Sequence, residues 1–282
     1  MEKITPSLIN FIGGDDFFKR ILIVESFDYI ESLREKFPFA EIFFVTPDED
    51  VAEKFSSQAK TFVMDYREER LPFDAEFFDA IIGDLTLEVV GNPQDIAAGF
   101  SAYIKQTGAW LTSFRNLRHW KVLEKLMRGN FFGTFERLYT RQDFERLLYA
   151  SFYKHVRFLP LIKKAPIEML DKLLECGFEN FGDDLETEFW LVRAERSMPE
   201  LALLKSMYTP EIRADFSRIL HRIEYDIDTE ESVKKFWEIY DAAGMFAEYA
   251  ANFIEEVVVH RENFFANFEK YSERVEEFRK EF

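Results

Sequence analysis

Glycine is scarce in this sequence, at 11 of 282 residues, against a usual share of about 7%. Few positions are therefore free for the glycine-rich turns that let a backbone close on a phosphate. Gly13-Gly14 precedes the first apolar run instead of following it, and no Gly-x-x-x-x-Gly-Lys occurs, so neither a dinucleotide nor a phosphate loop is present. The single cysteine, Cys176, excludes an internal disulfide framework, and the four scattered histidines fit no familiar zinc spacing, so no metal is expected. No apolar run approaches the ~20 residues of a membrane span, and Met1-Glu2-Lys3 is not followed by a signal-peptide core. The expectation is a soluble, cytoplasmic protein without a membrane partner. Basic residues are in deficit, 36 against 53 acidic, and the net charge of -17 argues against nucleic acid as a partner.

What the chain has in abundance is phenylalanine, 33 residues, and a length that suits two modest domains. From Arg20 onward, short β-rich apolar runs alternate with amphipathic stretches, the order of parallel strands joined by helical crossovers. Strands are predicted near 20–25, 41–46, 60–64, 78–83, 109–114, 154–159 and 188–194, with helices near 28–36, 48–55, 93–103, 119–127, 141–150 and 166–174. Their near-continuous apolar character suits strands covered on both faces. Beyond Arg196 no strand signal survives, so an α/β domain over 1–196 and a helical domain over 197–282 are expected. Phe264, Phe268, Tyr271, Val275, Phe278 and Phe282 are spaced 4, 3, 4, 3, 4, a short heptad seam. It reads either as packing within its own domain or as the seam of a homodimer formed through the C-terminal helices.

Charge is segregated along the chain. Residues 105–164 carry thirteen basic and four acidic side chains, a net of +9, which leaves -26 on the remainder. This cluster is either a set of solvated faces and internal partners for the acidic helical tail, or a site for a phosphorylated or nucleotide-activated small molecule.

In parallel α/β folds a ligand sits beyond the carboxyl ends of the strands. Those positions hold Glu25-Ser26-Phe27-Asp28, Pro47-Asp48-Glu49, Asp65-Tyr66, Asp84 to Glu88, and Asn116. Carboxylates there suit ribose hydroxyls, an adenine amino group or a cationic ligand, and each is equally suited to capping a helix. Asp48-Glu49-Asp50 looks like a metal-binding Asp-x-Asp, but its place at a proline-started helix favours dipole-stabilised solvated acids. Cys176 on a predicted helix reads as core, and no Gly-x-Ser-x-Gly elbow occurs. His119 and His155 lie in the basic stretch, whereas His221 and His260 in the tail have no nameable partner.

The stretch from Phe77 to Trp120, FFDAIIGDLTLEVVGNPQDIAAGFSAYIKQTGAWLTSFRNLRHW, resembles the fourth- to fifth-strand region of class I S-adenosylmethionine-dependent methyltransferases. It is most similar to the group associated with glycosyltransferases and sugar modification. The residues carrying the likeness are Asp84, Leu87-Glu88, Asn92-Pro93, Lys105 to Gly108, Asn116 and Arg118-His119-Trp120, and Thr134 to Thr140 continue it. The likeness spans about residues 20–196 and implies a Rossmann-like seven-stranded sheet, mostly parallel with an antiparallel last strand, to which this chain adds an all-helical extension.

The resemblance implies that Glu25, Asp48, Asp65 and Tyr66 face an S-adenosylmethionine cofactor. It further implies that Asp84, Glu88 and Asn116 line the methyl-transfer end, and that Arg118, His119, Arg137 and Arg141 hold an anionic acceptor such as a sugar nucleotide or glycan precursor. The chain departs from the family at the loop after the first strand, which lacks glycine and carries Phe27 where the methionine moiety would lie. Val89 and Phe135 stand where relatives carry histidine. Two readings are open: a methyltransferase in which proximity supplies most of the catalysis, and a non-catalytic descendant serving as a binding or assembly module.

Overall fold

The computed structural model describes residues 7–12, 19–130, 137–198 and 208–275. The chain divides into two compact units, Met1–Met198 and Pro199–Phe282.

In the first unit, strands β1 (Arg20–Val24), β2 (Glu41–Thr46), β3 (Lys60–Val63), β4 (Phe78–Gly83), β5 (Ile104–Arg115), β6 (His155–Ile162) and β7 (Thr187–Glu195) form one sheet in the order β3-β2-β1-β4-β5-β7-β6. The first five pair in parallel, and β7 runs antiparallel to both β5 and β6. The expected seven-stranded, mostly parallel sheet with an antiparallel last strand is therefore present. Neighbouring side chains on a strand point to opposite faces, and both faces here are apolar. Leu22 and Val24 join Phe43, Trp110 and Phe114 on one side, while Ile21 and Ile23 join Phe44, Ile82 and Leu111 on the other. Helices α1 (Ile30–Lys36) and α2 (Glu49–Phe55) cover the second face, and α3 (Pro93–Tyr103) and α5 (Arg141–Ala150) cover the first. Helices α4 (Trp120–Met127) and α6 (Ile167–Glu175) pack a small separate cluster around Leu123 and Leu173.

Strand β5 starts five residues before its expected position. Its pairing with β4 jumps from Phe78↔Ile104 to Ala80↔Ala109, so Lys105 to Gly108 form a bulge inside the strand. Gly108 is required there, because a Cβ would stand 2.9 Å from the Asp79 carbonyl oxygen.

The second unit contains α7 (Pro210–Glu224), α8 (Thr229–Ala242), α9 (Ala247–Val257) and α10 (Arg261–Glu269) among its described residues. Its core is aromatic: the Phe236 ring meets Phe216 at 4.8 Å and Phe268 edge-on at 4.9 Å. Of the two readings of the heptad spacing, Phe264 and Phe268 fit packing within their own unit, and the spacing is not carried by one continuous helix. Helix α10 ends at Glu269, Phe264 and Phe268 are fully buried within their own unit, and Tyr271 lies past the helix end. Phe278 and Phe282 fall outside the described residues. No helix among the described residues is long and apolar enough to cross a membrane.

Replacing a fully buried Phe268 by Ala removes a ring from this core and is expected to cost about 3–5 kcal/mol. Urea denaturation of the whole chain reads this as an earlier transition of the second unit, and an unchanged midpoint would contradict the packing.

Candidate functional site

The carboxyl ends of β1, β2 and β3 place the four predicted cofactor residues on one edge. Glu25 directly follows β1 with φ +54°, a left-handed conformation that glycine usually supplies, and its amide donates to the Val45 carbonyl at 2.9 Å. Its carboxylate accepts the Tyr66 hydroxyl at 3.1 Å. Tyr66 is buried and packs against Phe100, and burial with the neighbouring Glu25 charge pushes its hydroxyl pKa far up. Asp65 is gripped by both arms of the Arg67 guanidinium at 2.7 and 2.9 Å, which holds its carboxyl below the usual range. Asp48 caps α2 by accepting the Val51 amide at 3.1 Å, the alternative that its sequence position left open. Phe27 sits in a 3₁₀ turn, and its ring stacks on Phe55 of α2 at 5.4 Å, within the α1–α2 helix layer.

The end of β4 carries a denser network. Asp84 accepts the Tyr29 hydroxyl at 3.1 Å and the Ser113 hydroxyl of β5, while its own amide donates to Ser26 Oγ at 2.8 Å. Burial pushes the Asp84 carboxyl up against the pull of the Ser113 and Tyr29 hydrogen bonds. Four residues on, Glu88 is only 2% exposed. Burial drives its pKa up to about 7, against the Arg115 amide and guanidinium, which favour its charged form. Leu85 between them also has φ +54°, so non-glycine residues take left-handed backbone at the ends of the adjoining strands β1 and β4.

Asn116 is tied into the fold at the end of β5. It is wholly buried, and its Nδ2 donates to the Asp184 carbonyl at 2.7 Å, Asp184 Oδ1 at 2.9 Å and the Thr187 carbonyl at 3.1 Å. Its Oδ1 accepts the Arg118 amide at 3.0 Å. With every polar atom engaged, it is a brace between the end of β5 and the start of β7.

The predicted acceptor residues separate. Arg137 is turned onto the Val90 and Gly91 carbonyls at 3.3 and 2.6 Å. His119 is 2% exposed at the start of α4, its Nε2 has no hydrogen-bond partner among the described residues, and burial lowers its pKa. Arg118 and Arg141, by contrast, share a groove of about 400 Å³ with Thr140, Phe181, Asp184 and Trp190. Arg118 is engaged there by Asp184 and the Glu179 carbonyl. Arg141 instead lies over the Phe158 and Trp190 rings, 5.0 and 5.5 Å from their centroids.

The basic stretch is largely neutralised from outside itself. Lys105 meets Asp79, Arg115 meets Glu88, Lys121 and Lys163 meet Glu188, Lys164 meets Glu186, and Arg157 meets Glu195. These partners belong to the α/β unit, not to the helical tail. Sequence reasoning missed Tyr29, Ser113, Arg67 and Trp190, since their partners or their placement depend on other strands. Phe135 and Thr134 to Glu136 lie outside the described residues.

No family model matches this sequence, and no curated protein matches it. Among solved structures, a SAM-dependent methyltransferase from Archaeoglobus fulgidus is 12% identical, with 67% of this chain and 91% of that one covered at a TM-score of 0.50. A SAM-dependent methyltransferase from Thermotoga maritima, described as a possible histamine N-methyltransferase, is 14% identical over 68% of this chain and 86% of its own, at 0.49. With the sheet order above, the first likeness establishes that the α/β unit has the fold of class I SAM-dependent methyltransferases.

Two variants test these assignments. Asn116→Ala leaves the carbonyls of Asp184 and Thr187 without their donor and is expected to cost about 3 kcal/mol in urea unfolding; a neutral change would remove the brace. For Glu88, the folded pKa lies above the unfolded one, so its stabilisation is complete below about pH 4.5 and is lost as pH rises through about 7. Glu88→Gln lacks this loss, so its stability relative to the parent is expected to rise by about 3 kcal/mol between pH 4.5 and 8. Parallel pH profiles would refute the buried carboxyl.

Proposed function

We propose that the α/β unit is an S-adenosylmethionine-dependent methyltransferase acting on an anionic small molecule, such as a sugar nucleotide or glycan precursor. The observation that supports this reading is one shared edge. Glu25, Asp48 and Asp65 stand at the ends of β1, β2 and β3, the Arg141 groove stands where β5 ends and β7 begins, and Glu88 with its pKa of about 7 follows β4 between them.

The donor chemistry suits the cofactor on the nucleoside side. Glu25 and Asp48 each keep one carboxylate oxygen without a partner among the described residues. The surface pair Asp65–Arg67 is worth at most about 1 kcal/mol and exchanges readily for a ligand hydrogen bond. Left-handed Glu25 gives the turn the conformation that glycine would otherwise provide. Glu25, Asp48, Asp65 and Tyr66 would hold S-adenosylmethionine, which supplies an electrophilic methyl group. The chain's own contribution is alignment. Arg141 orients the acceptor, and Asp84 ties the ends of β1, β4 and β5 together.

A second reading, a catalytically inactive methyltransferase-fold protein used as a binding or assembly module, is favoured by the Ser26 and Tyr29 bonds to Asp84. They close the gap between the ends of β1 and β4 with the chain's own side chains.

Calorimetric titration of the full chain with S-adenosylmethionine and S-adenosylhomocysteine separates the two. Micromolar binding that weakens at least tenfold in Asp65→Ala, with an unchanged unfolding midpoint, is the expected outcome. No heat at millimolar ligand overturns the first reading and leaves the second.

A further inference from the structure

The residue that follows β1 carries a side chain where the backbone favours none. Glu25 has φ +54°, a conformation that glycine adopts freely and that other residues keep only where their surroundings fix them. Two contacts do so here. Its amide donates to the Val45 carbonyl near the end of β2, and its Oε2 accepts the Tyr66 hydroxyl at 3.1 Å. Tyr66 lies beyond β3, and β2 stands between β3 and β1 in the sheet, so the tyrosine reaches across the end of β2 to arrive at Glu25.

Three other tyrosine hydroxyls of the same unit donate to backbone carbonyls: Tyr103 to Leu71 at 3.1 Å, Tyr139 to Leu87 at 3.0 Å and Tyr153 to Ala97 at 3.1 Å. Tyr29 and Tyr66 instead donate to carboxylates at the ends of the neighbouring strands β4 and β1. These two carboxylates differ. Asp84 gives Oδ2 to Tyr29 and Oδ1 to Ser113, so both its oxygens serve the fold. Glu25 is half-buried, and its Oε1 has no partner among the described residues. Tyr66 is buried against Phe100 and offers little surface of its own to a ligand. Burial and the Glu25 charge keep its hydroxyl protonated well above neutral pH, so it is always a donor.

We propose that Tyr66 is a positioning residue: by holding Oε2 of Glu25 it fixes Oε1 as a ready acceptor for a hydroxyl or amino group of the bound cofactor. This role rests on the S-adenosylmethionine reading above, with Tyr66 supporting the contact that Glu25 makes. Glutamate is among the most rotamer-rich side chains, so an unheld carboxylate at this position would have to be ordered by each ligand that binds. Holding it beforehand, from a ring already fixed by packing, moves that cost from binding to folding. The left-handed glutamate follows from the same role, because glycine would relax the backbone and remove the acceptor.

The test is a double-mutant cycle in the affinity of the full chain for S-adenosylmethionine, read by calorimetry. Tyr66→Phe is expected to weaken binding about fivefold and Glu25→Ala at least as much, while the double variant binds no more weakly than Glu25→Ala alone, because Tyr66 contributes only through Glu25. Glu25→Asp approaches the pair from the other side: it keeps the charge, withdraws it from the tyrosine hydroxyl, and is expected to lose about as much as Tyr66→Phe. Tyr103→Phe, which removes a hydroxyl bonded only to a backbone carbonyl, leaves the affinity unchanged. Urea midpoints accompany each titration, since a purely structural hydrogen bond would shift the midpoint and spare the affinity. Unchanged affinity in Tyr66→Phe or in Glu25→Asp, losses that add in the double variant, or an equal loss in Tyr103→Phe overturns the positioning role. Where the parent chain binds and one of these results appears, only this inference fails; where the parent does not bind at millimolar ligand, the cofactor reading fails and takes this inference with it.

Discussion

The carboxylate of Asp84 is the point on which the carboxyl-end edge of the sheet depends. It gathers hydroxyls from Tyr29 beyond β1 and Ser113 on β5, and its amide reaches Ser26, so three adjacent strand ends are held in one register of hydrogen bonds. Hydrogen bonds to a charged group are worth about 1.5–3 kcal/mol each, enough to hold two left-handed non-glycine residues at Glu25 and Leu85. The same charge has a consequence a turn further on. Glu88, wholly enclosed, meets both desolvation and the Asp84 charge, and Arg115 offsets only part of this, which is why its carboxyl titrates near neutrality.

The edge divides into two territories. On the β1–β3 side the polar groups are acids with exchangeable partners, suited to hydroxyl and amino groups of a ligand. On the β5–β7 side the polar groups are mostly committed to one another. Asn116 and Arg118 both close on Asp184, which pins the loop before β7 against the end of β5. Arg141, beside them, has no carboxylate partner among the described residues and lies over the Trp190 ring instead. Charge that is segregated along the chain is thus largely cancelled in space. Lys105, Lys121, Lys163, Lys164 and Arg157 all meet acids from other segments of the same unit.

The fold was largely legible in the sequence, and the site only in part. The strands announce themselves because both sheet faces are covered, so the runs around Ile21–Val24 and Trp110–Phe114 are apolar without alternation. The start of β5 was not legible, since its first five residues pair through a bulge that depends on the neighbouring backbone at Asp79. Asp84 and Glu88 were legible as polar residues at a strand end. Asn116 carried the same local signal, yet it is a brace, because its acceptors at Asp184 and Thr187 lie 68 and 71 residues away.

Local period and composition by themselves determined the alternating strands and helices, the aromatic helical tail, and the acids at successive strand ends. Tertiary structure decided which of those acids are open to a ligand. A carboxylate that caps a helix, as Asp48 does, one that meets an arginine two residues on, as Asp65 does, and one enclosed with its charge only partly relieved, as Glu88 is, look alike in one dimension. Their chemistry differs because hydrogen bonding and desolvation act through space, over a few ångströms, between residues the chain brings together only on folding.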